Sequence, residues 1–185
     1  MIKKIIENRR AVFPRQYNDK PIEKEQIQAV LEAANWAPTH RRTEPWRFKV
    51  ITGEKRNELG NFLAEKYKET AKKFSERKHK GIKEKCERSS CIILICMQRD
   101  PKERVPEWEE ISATAMAVQN MWLTASEMKI GSYWSSPTAL INKIGEFTDL
   151  KAGERCLGIF YMGNYDVEIP EGTRETSIEE KVEWL

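Results

Sequence analysis

The feature that most constrains this chain of 185 residues is a long helical segment, from about Glu107 to Lys129, with apolar side chains on more than one face. The apolar positions include many small residues: Ile111, Ala113, Ala115, Met116, Ala117, Val118, Met121, Trp122, Leu123 and Ala125. A helix that is apolar nearly all round must lie at the centre of a large core or between subunits. Because a single domain of this length has a limited core, the segment favours a central helix and a dimer.

A helix and a strand are predicted on either side of a polar loop at residues 37–46. The sequence Pro21–Glu25 is typical of a helix start, and apolar residues then recur at helical spacing: Ile27, Val30, Leu31 and Ala34. The segment Trp46–Ile51 alternates apolar and polar side chains before Thr52 and Gly53 end the run, which predicts a half-buried strand. The loop is therefore expected to be held at both ends by regular structure.

The loop itself has the composition of a ligand-binding segment. Pro38 ends the preceding helix, and Pro45 forces the residue before it into an extended conformation. The tip contains His40, Arg41 and Arg42, and the evident use of a histidine beside two arginines is to bind an anion. The loop therefore predicts contact with a phosphate or with a flavin-like ring.

The remaining chain alternates helices and strands without a visible domain linker. Helical composition covers residues 1–10, 54–88 and 139–146, and strand patterns cover residues 91–97, 132–137 and 156–163. Gly131 is predicted to cap the long helix. This order of elements indicates an α+β fold in which residues 1–185 form a single domain.

Charge and hydropathy argue against several classes of protein. The formal net charge of +3 is small beside the number of charged residues, so it does not require a nucleic-acid partner. Glutamates interrupt the basic residues at 66–88, which favours a solvated helical face or mobile flap over a nucleic-acid surface. No apolar run approaches the ~20 residues of a membrane span, and the amino terminus lacks the features of a signal peptide. We therefore expect a cytoplasmic protein with no nucleic-acid partner and no membrane partner.

The cysteines fit the same compartment. Cys86, Cys91, Cys96 and Cys156 contain no pair at two-residue spacing and no histidine at ligand spacing, which argues against a zinc site. Cys91 and Cys96 bracket a continuous apolar strand, where cysteine behaves as a small hydrophobic residue. Reduced thiols are therefore favoured over a disulfide or a redox function.

The motifs of ordinary hydrolytic and metal-dependent enzymes are missing from the sequence. The chain has two histidines, and no nucleophile elbow, phosphate-binding glycine loop or paired-histidine zinc helix. We therefore assign no catalytic side chain and no metal ligand. A protein without its own acid, base or nucleophile can still be an enzyme when a cofactor carries the difficult step, which favours a cofactor enzyme.

Four segments together resemble the nitroreductase family of FMN-dependent oxidoreductases, in its compact bacterial branch. In chain order they are Arg9–Val12, Ala37–Trp46, Gly131–Pro137 and Leu157–Gly163. Each segment is modestly specific, but their order and spacing over nearly the whole chain are hard to obtain by chance. The resemblance implies an α/β/α sandwich, with a central, mostly antiparallel sheet flanked by helices, in an intertwined homodimer.

The resemblance also implies a reaction. FMN bound at the subunit interface would take hydride from NADH or NADPH and pass it to a nitroaromatic, a quinone or a similar flat small-molecule acceptor, with ping-pong kinetics. Hydride transfer requires the two rings to stack within about 3–3.5 Å, so positioning is the main task of the protein. Two alternatives are a flavin-binding dimer without nicotinamide-dependent activity and a basic adaptor built on residues 66–88.

Four residues are expected near the FMN phosphate. Arg9 and Arg10 take the place of the family's Arg-Arg pair at the phosphate and ribityl chain, and the guanidinium fork suits that role. The alternative role for Arg9 and Arg10 is that of two positive charges at the carboxyl end of a helix, where they interact with the helix dipole. Ala11 stands where serine is common, so only its backbone can make contact. Arg174 resembles a second phosphate ligand, and the apolar tail at 181–185 is expected to cross to the partner.

The other predicted residues surround the flavin ring. His40 and Arg42 are expected to touch it, with Arg42 in place of a frequent asparagine and Glu44 in place of a frequent glutamine. Arg42 would stabilise the reduced flavin or a phosphate, or else face solvent. Trp36 would pack on the cofactor or in the core. Trp134, Ser135 and Ser136 of the other subunit are expected to lie beside the isoalloxazine ring. The alternative for the two serines is that they only form a turn.

Overall fold

The computed structural model describes residues 2–185 and contains a four-stranded antiparallel sheet with helices on both faces. The helices are α1 (Ile2–Asn8), α2 (Lys24–Asn35), α3 (Lys55–Thr70), α4 (Glu76–Arg88), α5 (Glu107–Glu127) and α6 (Thr138–Ile141). The strands are β1 (Trp46–Ile51), β2 (Cys91–Gln98), β3 (Ile130–Ser135) and β4 (Glu154–Asn164), in the spatial order β1-β2-β4-β3. The predicted α+β fold is therefore confirmed. The predicted first helix began at Met1, which lies outside the described residues.

β2 runs through the middle of the sheet and is buried on both faces along almost its whole length. Ile93 and Ile95 pack in the core that contains α2 and α5, whereas Ile92 and Leu94 pack in the core that contains α3 and α6. A strand covered on both faces needs apolar side chains at every position, which explains its continuous apolar sequence. Because each large apolar side chain contributes about 1.5–3 kcal/mol when buried, β2 is a main source of stability.

α5 is the longest helix, but only one side of it is buried in the single chain. The buried side faces the sheet and α2 and carries Ala113, Thr114, Ala117, Val118, Met121 and Ala125. The other side carries exposed apolar side chains, with Trp108 65% exposed and Met116 41% exposed. A position at the centre of the core of one chain is therefore wrong, because one sheet and one neighbouring helix cover a single side, and burial between subunits stays a prediction.

The stretch at 54–88, predicted as continuously helical, forms two helices. α3 ends because Ala71 adopts an extended backbone, with φ −73° and ψ 122°. α4 begins after Ser75, whose side-chain oxygen accepts a hydrogen bond from the amide of Lys78 at 3.4 Å. A serine in this position satisfies an amide that has no partner inside the helix. The break allows α4 to fold back against α3.

Gly131 does not cap α5, as predicted from the sequence, but lies inside β3. The chain leaves the helix through Lys129, which has a left-handed backbone with φ +57°. Gly131 pairs with Gly163 of β4, and the ring of Tyr17 occupies the space that side chains at both positions would need. The two glycines are therefore required by the close approach of an aromatic ring.

The other predicted elements differ from the structure mainly at their ends. The predicted strand 132–137 corresponds to β3, which begins earlier, at Ile130. The predicted helix 139–146 corresponds to α6 followed by a 3₁₀ turn at Ile144–Glu146. Such shifts are usual, because the ends of helices and strands depend on tertiary contacts as well as on local pattern.

All four cysteines are buried and free, as the apolar pattern around Cys91 and Cys96 indicates. Burial raises the pKa of the Cys91 thiol to about 12, so it stays protonated at neutral pH. Within residues 2–185, no helix combines the length and apolar character needed to cross a membrane. The same residues contain no group of three or more His, Cys, Asp or Glu side chains arranged to hold a metal ion.

Candidate functional site

The segment from Arg9 to Tyr17 links α1 to the edge of the sheet and is held there by hydrogen bonds. The amide of Val12 donates to the carbonyl of Ser132 in β3 at 3.0 Å. The buried hydroxyl of Tyr17 lies 2.9 Å from the carbonyl oxygen of Val12 and 3.0 Å from that of Tyr161, and its single proton is shared between these two acceptors. These contacts hold in place the basic side chains that precede and follow Val12.

Three arginine side chains come together beside this segment: Arg9, Arg10 and Arg174. The Cζ atom of Arg9 lies 4.5 Å from the ring centroid of Trp122 in α5, a cation–π contact. Burial lowers the pKa of Arg9, and the positive charges of Arg10 and Arg174 lower it further. Because Arg9 is partly buried and two further cations repel it, an anion bound beside it would be stabilised.

The guanidinium of Arg10 is fixed by backbone carbonyls. Nη1 donates to Glu7 at 2.6 Å and to Arg9 at 2.8 Å, and Nε donates to Pro170 at 3.3 Å. The carboxyl-terminal segment passes so close that a side chain at Gly172 would overlap this guanidinium. The bond to Glu7 shows that Arg10 does interact with the end of α1, whereas Arg9 stacks on an aromatic ring.

Arg174 and Ala11 are the other residues predicted near the phosphate. Arg174 is exposed, and the one hydrogen bond of its side chain within residues 2–185 goes from Nη1 to the carbonyl of Thr173 at 2.9 Å. Most of its donors are therefore available to a ligand. Ala11 is half-buried and offers only its backbone. Nε1 of Trp122 donates to the carbonyl of Arg10 at 3.2 Å, which holds the backbone next to Ala11.

Two neighbouring cavities lie against α4, and we call them together the α4 groove. The first has a volume of about 420 Å³, and its walls include Phe13, Pro14, Arg15, Arg77, Lys85 and Arg88. The second has a volume of about 240 Å³, and its walls include Leu63, Ile82, Ser135, Pro137, Ile159 and Tyr161. Gly81 and Lys85 line both cavities, which places the two side by side.

Aromatic rings and a glycine shape the α4 groove. The ring centroids of Phe13 and Tyr133 lie 4.7 Å apart, and Nζ of Lys85 lies 5.7 Å from the centroid of Tyr133. A side chain at Gly81 would have no atom within 4 Å of its Cβ, so the glycine leaves the groove open. A concave surface with apolar walls and a few polar groups suits a flat aromatic ligand.

β3 sends the three predicted residues near its end to different places. Trp134 packs with the core beside α5, over Gly158, where any side chain would overlap the indole. Ser135 faces the opposite side of the sheet and lines the α4 groove of its own chain. Ser136 is exposed after the strand. Successive residues of a strand point to opposite faces, so Trp134 and Ser135 cannot line one surface together.

The loop at residues 37–46 has a strained backbone. Arg41, Arg42 and Glu44 have positive φ angles of 52°, 53° and 42°. This conformation costs about 1–2 kcal/mol for a residue other than glycine. The hydroxyl of Thr39 accepts a hydrogen bond from the amide of Glu44 at 3.1 Å and closes the loop. Strain of this kind concentrates at ligand-binding segments, so the loop remains a candidate site.

His40 faces α5 and lies far from the arginines of the same chain. Its Nδ1 is 2.6 Å from a carboxylate oxygen of Glu109, near the start of α5. Arg9 stacks on Trp122, near the other end of that helix. At a rise of about 1.5 Å per residue, Glu109 and Trp122 are about 20 Å apart. One chain therefore does not bring the loop together with Arg9 and Arg10.

Two other predicted residues face away from the core. Trp36 follows α2 and is 86% exposed, so its alternative as a core tryptophan is wrong. Arg42 is exposed as well, and its side chain makes no hydrogen bond within residues 2–185. Both side chains are therefore accessible to a ligand or to another chain.

Of the residues that line the α4 groove, only Ser135 was predicted as a site residue; three of those missed show which signals were available. Lys85 belongs to the basic stretch at 66–88, which was interpreted only as a solvated face or a flap. Gly81 stands inside a helix, where glycine costs about 1 kcal/mol relative to alanine, so its presence there was the available signal. Arg15 follows the pair Arg9 and Arg10 within one short segment, and its basic charge was the available signal.

Comparisons with known proteins place the chain among related sequences and structures. The sequence model of the nitroreductase family matches residues 6–164. YfhC of Bacillus subtilis (strain 168), provisionally named an NAD(P)H nitroreductase, is 32% identical over 184 residues, which cover 98% of this chain and 92% of that protein. The crystal structure of a nitroreductase-like family protein from Bacillus cereus has a TM-score of 0.83 and 31% identity, covering 100% of this chain and 96% of that chain.

A more distant structure shares the fold. The nitroreductase with bound FMN from Bacteroides fragilis NCTC 9343 has a TM-score of 0.71 and 20% identity, covering 94% of each chain. The family model and the two Bacillus proteins extend over most or all of the described elements, including the segment after α1, the loop after α2 and the strands β3 and β4. The chain therefore belongs to the nitroreductase family.

Proposed function

We propose that this protein is an FMN-dependent oxidoreductase that takes hydride from NADH or NADPH and reduces a nitroaromatic, a quinone or a similar flat acceptor. The observation that carries the proposal is the cluster of Arg9, Arg10 and Arg174, beside the segment that leads into the α4 groove. A group of cations next to an apolar groove matches a ligand with an anionic end and a flat ring. The bound FMN of the Bacteroides fragilis relative supports this choice of ligand.

The residues of the chain fit the two ends of FMN. Arg9, Arg10 and Arg174 would hold the phosphate, whose negative charge would offset the burial and the repulsion that lower the pKa of Arg9. The backbone at Ala11 and the groove wall at Ser135 would flank the rest of the molecule. When bound, FMN supplies the carrier for a hydride from the nicotinamide ring. The protein orients the rings and excludes water, and no catalytic side chain is required.

The overall reaction balances without a further reactant. A nitro compound, one NAD(P)H and one proton give a nitroso compound, NAD(P)⁺ and water. A quinone, one NAD(P)H and one proton give a hydroquinone and NAD(P)⁺. Because the nicotinamide and the acceptor would use the same face of the flavin in turn, the proposed kinetics are ping-pong.

A second copy of the chain would complete the site. The loop at 37–46 and the arginines Arg9 and Arg10 lie near opposite ends of α5, about 20 Å apart by the rise of the helix. A partner would cover apolar surface that is exposed in the single chain. This surface includes Trp108 and Met116 on α5, and Trp36, which immediately precedes the loop. In a two-fold dimer, the loop of one copy would approach the arginines of the other.

In this arrangement the unusual loop residues meet the flavin of the partner copy. Arg42 is exposed and would bring a positive charge to the ring, which favours the anionic reduced flavin. His40 is paired with Glu109, so it presents an oriented imidazole. Glu44 brings a negative charge where the resemblance leads one to expect a neutral amide. The segment with Ser135 would serve the groove of its own chain, and Trp134 would support it from the core.

The proposed function is tested by a spectroscopic cycle. We expect the purified protein to bind FMN and become yellow, to lose its flavin absorbance when NADH or NADPH is added without oxygen, and to regain it when a nitroaromatic is added. Initial rates at several concentrations of both substrates should give parallel double-reciprocal lines. Intersecting lines would contradict the ping-pong scheme.

The other outcomes of this experiment distinguish the alternatives. Bound FMN that neither nicotinamide nucleotide reduces would indicate a flavin-binding dimer without this activity. A colourless protein that takes up no FMN, but binds nucleic acid at physiological salt, would indicate an adaptor that uses the basic residues at 66–88.

Removal of residues 178–185 is expected to weaken both the dimer and the retention of FMN. The tail carries apolar side chains without cover in the single chain, and Trp184 is 94% exposed. In a dimer these side chains would lie against the partner, so their loss removes buried apolar area. Sedimentation over a range of protein concentrations measures the dimer, and the absorbance ratio after gel filtration measures bound FMN.

A point variant sharpens this truncation. Trp184→Ser should reproduce most of the dimer weakening. Glu183→Gln, which replaces the exposed residue next to it by one of nearly the same size, should leave the dimer unchanged. A truncated protein that remains as dimeric and as yellow as the full chain would show that the tail does not cross to the partner.

A further inference from the structure

We infer that Trp122 is a positioning residue that holds the arginine cluster ready for a phosphate, so that the protein prefers a flavin with a phosphate to one without. The inference rests on the proposed function, because it assumes that Arg9, Arg10 and Arg174 hold the phosphate of FMN. Riboflavin has the ring and ribityl chain of FMN but lacks the phosphate, so the two flavins together report on the cluster. Trp122 is not expected to touch the flavin itself.

The indole of Trp122 contacts both members of the arginine pair, in two different ways. Its face lies beside Arg9, whose Cζ atom is 4.5 Å from the ring centroid. Its edge donates a hydrogen bond from Nε1 to the backbone carbonyl of Arg10 at 3.2 Å. Trp122 belongs to α5, whereas the pair follows α1, so these contacts join the cluster to the longest helix. One ring therefore fixes the side chain of one arginine and the backbone of the next.

The core of the protein holds this indole in place. The rings of Trp122 and Phe160 meet edge to face, with centroids 5.7 Å apart and an interplanar angle of 84°. Such an arrangement is favourable for two aromatic rings. Phe160 is completely buried in β4, and Trp122 packs against the same core. The indole therefore presents a fixed surface to Arg9.

The contact with the ring leaves the phosphate-binding groups of Arg9 available. A cation over an aromatic face is attracted by the ring itself and needs no hydrogen-bond acceptor. Within residues 2–185 the side chain of Arg9 makes no hydrogen bond, whereas Nε and Nη1 of Arg10 donate to backbone carbonyls. Arg9 is therefore the member of the pair with more donors free for an anion, and Trp122 determines where this guanidinium lies.

Arg9 needs a holding contact because its surroundings disfavour a positive charge. Burial lowers the pKa of Arg9, and the charges of Arg10 and Arg174 lower it further. A long, flexible side chain in such a position gains freedom by turning toward solvent. The attraction to the indole opposes both effects, so the guanidinium is in place before an anion arrives. Preorganisation of this kind tightens binding, because less side-chain freedom is lost when the ligand binds.

Two flavins and three variants test this role. The Kd values for FMN and riboflavin are measured in the apo protein from the quenching of flavin fluorescence, and the flavin selectivity is Kd for riboflavin divided by Kd for FMN. Trp122→Phe keeps an aromatic face but removes the donor to the Arg10 carbonyl, and Trp122→Leu removes both contacts. The control Trp46→Phe removes a matched hydrogen bond, from Nε1 to Asn35 at 3.2 Å.

The flavin selectivity is expected to fall about threefold in Trp122→Phe and about tenfold in Trp122→Leu, as for the loss of one hydrogen bond and then also of a cation–π contact. The Kd for FMN should account for most of this change. Trp46→Phe should leave the selectivity of the unchanged protein, the parent, as it is. A variant that is partly unfolded raises both Kd values by the same factor, so unfolding cancels in the ratio.

A double variant shows whether Trp122 acts through Arg9. In the background of Arg9→Gln, Trp122→Leu should lower the selectivity by a smaller factor than it does in the parent, because the side chain that the ring positions is already gone. Equal factors in the two backgrounds would mean that Trp122 does not act through Arg9, and the inference would be wrong.

The inference and the proposed function fail in different ways. If the parent binds FMN and NADH or NADPH reduces it, but Trp122→Leu keeps the parent selectivity, the proposed function stands and the inference is wrong. If both Kd values rise by the same factor in Trp122→Leu, Trp122 is a core residue only and the inference is also overturned. A parent that binds riboflavin as tightly as FMN would show that the cluster holds no phosphate.

A phosphate titration covers the case in which the parent binds neither flavin and the proposed function fails. The Kd for inorganic phosphate is then measured by calorimetry in the parent, Trp122→Leu and Trp46→Phe. Binding that is weaker in Trp122→Leu than in the other two proteins supports the positioning of the arginine cluster by Trp122. Equal Kd values in the three proteins would contradict it.

Discussion

Arg9→Gln is expected to raise the Kd for FMN about ten- to a hundredfold. Arg9 would donate charge-assisted hydrogen bonds to the phosphate, and such bonds contribute about 1.5–3 kcal/mol when a charged group takes part. A factor of ten in Kd corresponds to about 1.4 kcal/mol. Fluorescence titration of the apo protein with FMN gives the Kd directly.

The same variant is expected to change the stability of the apo protein by less than about 1 kcal/mol. The loss of the contact with Trp122 costs about 0.5–1 kcal/mol. The removal of a partly buried charge that Arg10 and Arg174 repel acts in the opposite direction. Urea unfolding without FMN measures this balance, so weak FMN binding cannot be attributed to unfolding.

A matched arginine outside the cluster serves as the control. Arg155 is exposed and pairs with Glu107 at 3.1 Å, at the start of α5, whereas Arg9 contacts Trp122 near the other end of that helix. Arg155→Gln should leave the Kd for FMN within about twofold of the parent value, as for an exposed ion pair. If Arg9→Gln binds FMN as tightly as Arg155→Gln does, the phosphate is not held by the arginine cluster.

Gly163→Ala is expected to lower the free energy of unfolding by about 2–4 kcal/mol and to reduce FMN binding at the same time. A methyl group at this position would overlap the ring of Tyr17. Overpacking costs about 1–3 kcal/mol, and displacement of Tyr17 also breaks its buried hydrogen bonds to Val12 and Tyr161. Tyr17 anchors the segment that carries Arg9 and the first residues of the groove. Displacement of Tyr17 would therefore shift these residues and weaken FMN binding.

Gly81→Ala gives a control of opposite sign. Its methyl group would have no atom within 4 Å, and the position lies inside α4. Alanine in a helix is favoured over glycine by roughly 0.5–1 kcal/mol, so the free energy of unfolding should rise. Urea midpoints and m-values of the two variants measure both effects. Equal stability of Gly163→Ala and the parent would mean that Tyr17 can move without cost.

Local pattern was sufficient for elements whose environment repeats along the chain. β1 has the predicted bounds, although its burial alternates only at its start: Trp46 is buried and Arg47 exposed, whereas at the other end Val50 is exposed and Ile51 buried. β2 was identified from its continuous apolar run, since both faces are covered. The α+β class followed from the order of such elements.

Local pattern was insufficient where a contact from a distant part of the chain decides the structure. The break between α3 and α4 at Ala71 lies in a stretch of uniformly helical composition, and the return of α4 against α3 fixes it. Gly131 was assigned to a helix cap because the ring of Tyr17, far away in sequence, could not be anticipated. In both cases the deciding energy comes from packing rather than from propensity.

The candidate site shows the same division. The family resemblance directed attention to Arg9, Arg10 and Arg174, and the structure brings these three side chains near one another. It does not bring them near His40 in a single chain, because α5 separates the two by most of its length. Gly81 and Lys85 had no sequence motif, and only the packing of α4 beside β3 makes them walls of a groove.

The sequence by itself determined the class of fold, the family and the identity of the basic pair after the first helix. These depend on periodicity and on short motifs, which are local properties of the chain. Only the tertiary structure decided that α5 keeps an uncovered apolar side, that Tyr17 requires a pair of glycines, and that Gly81 and Lys85 line a groove. Each of these depends on which distant groups meet, because burial and charge balance arise from all neighbours in space rather than from neighbours along the chain.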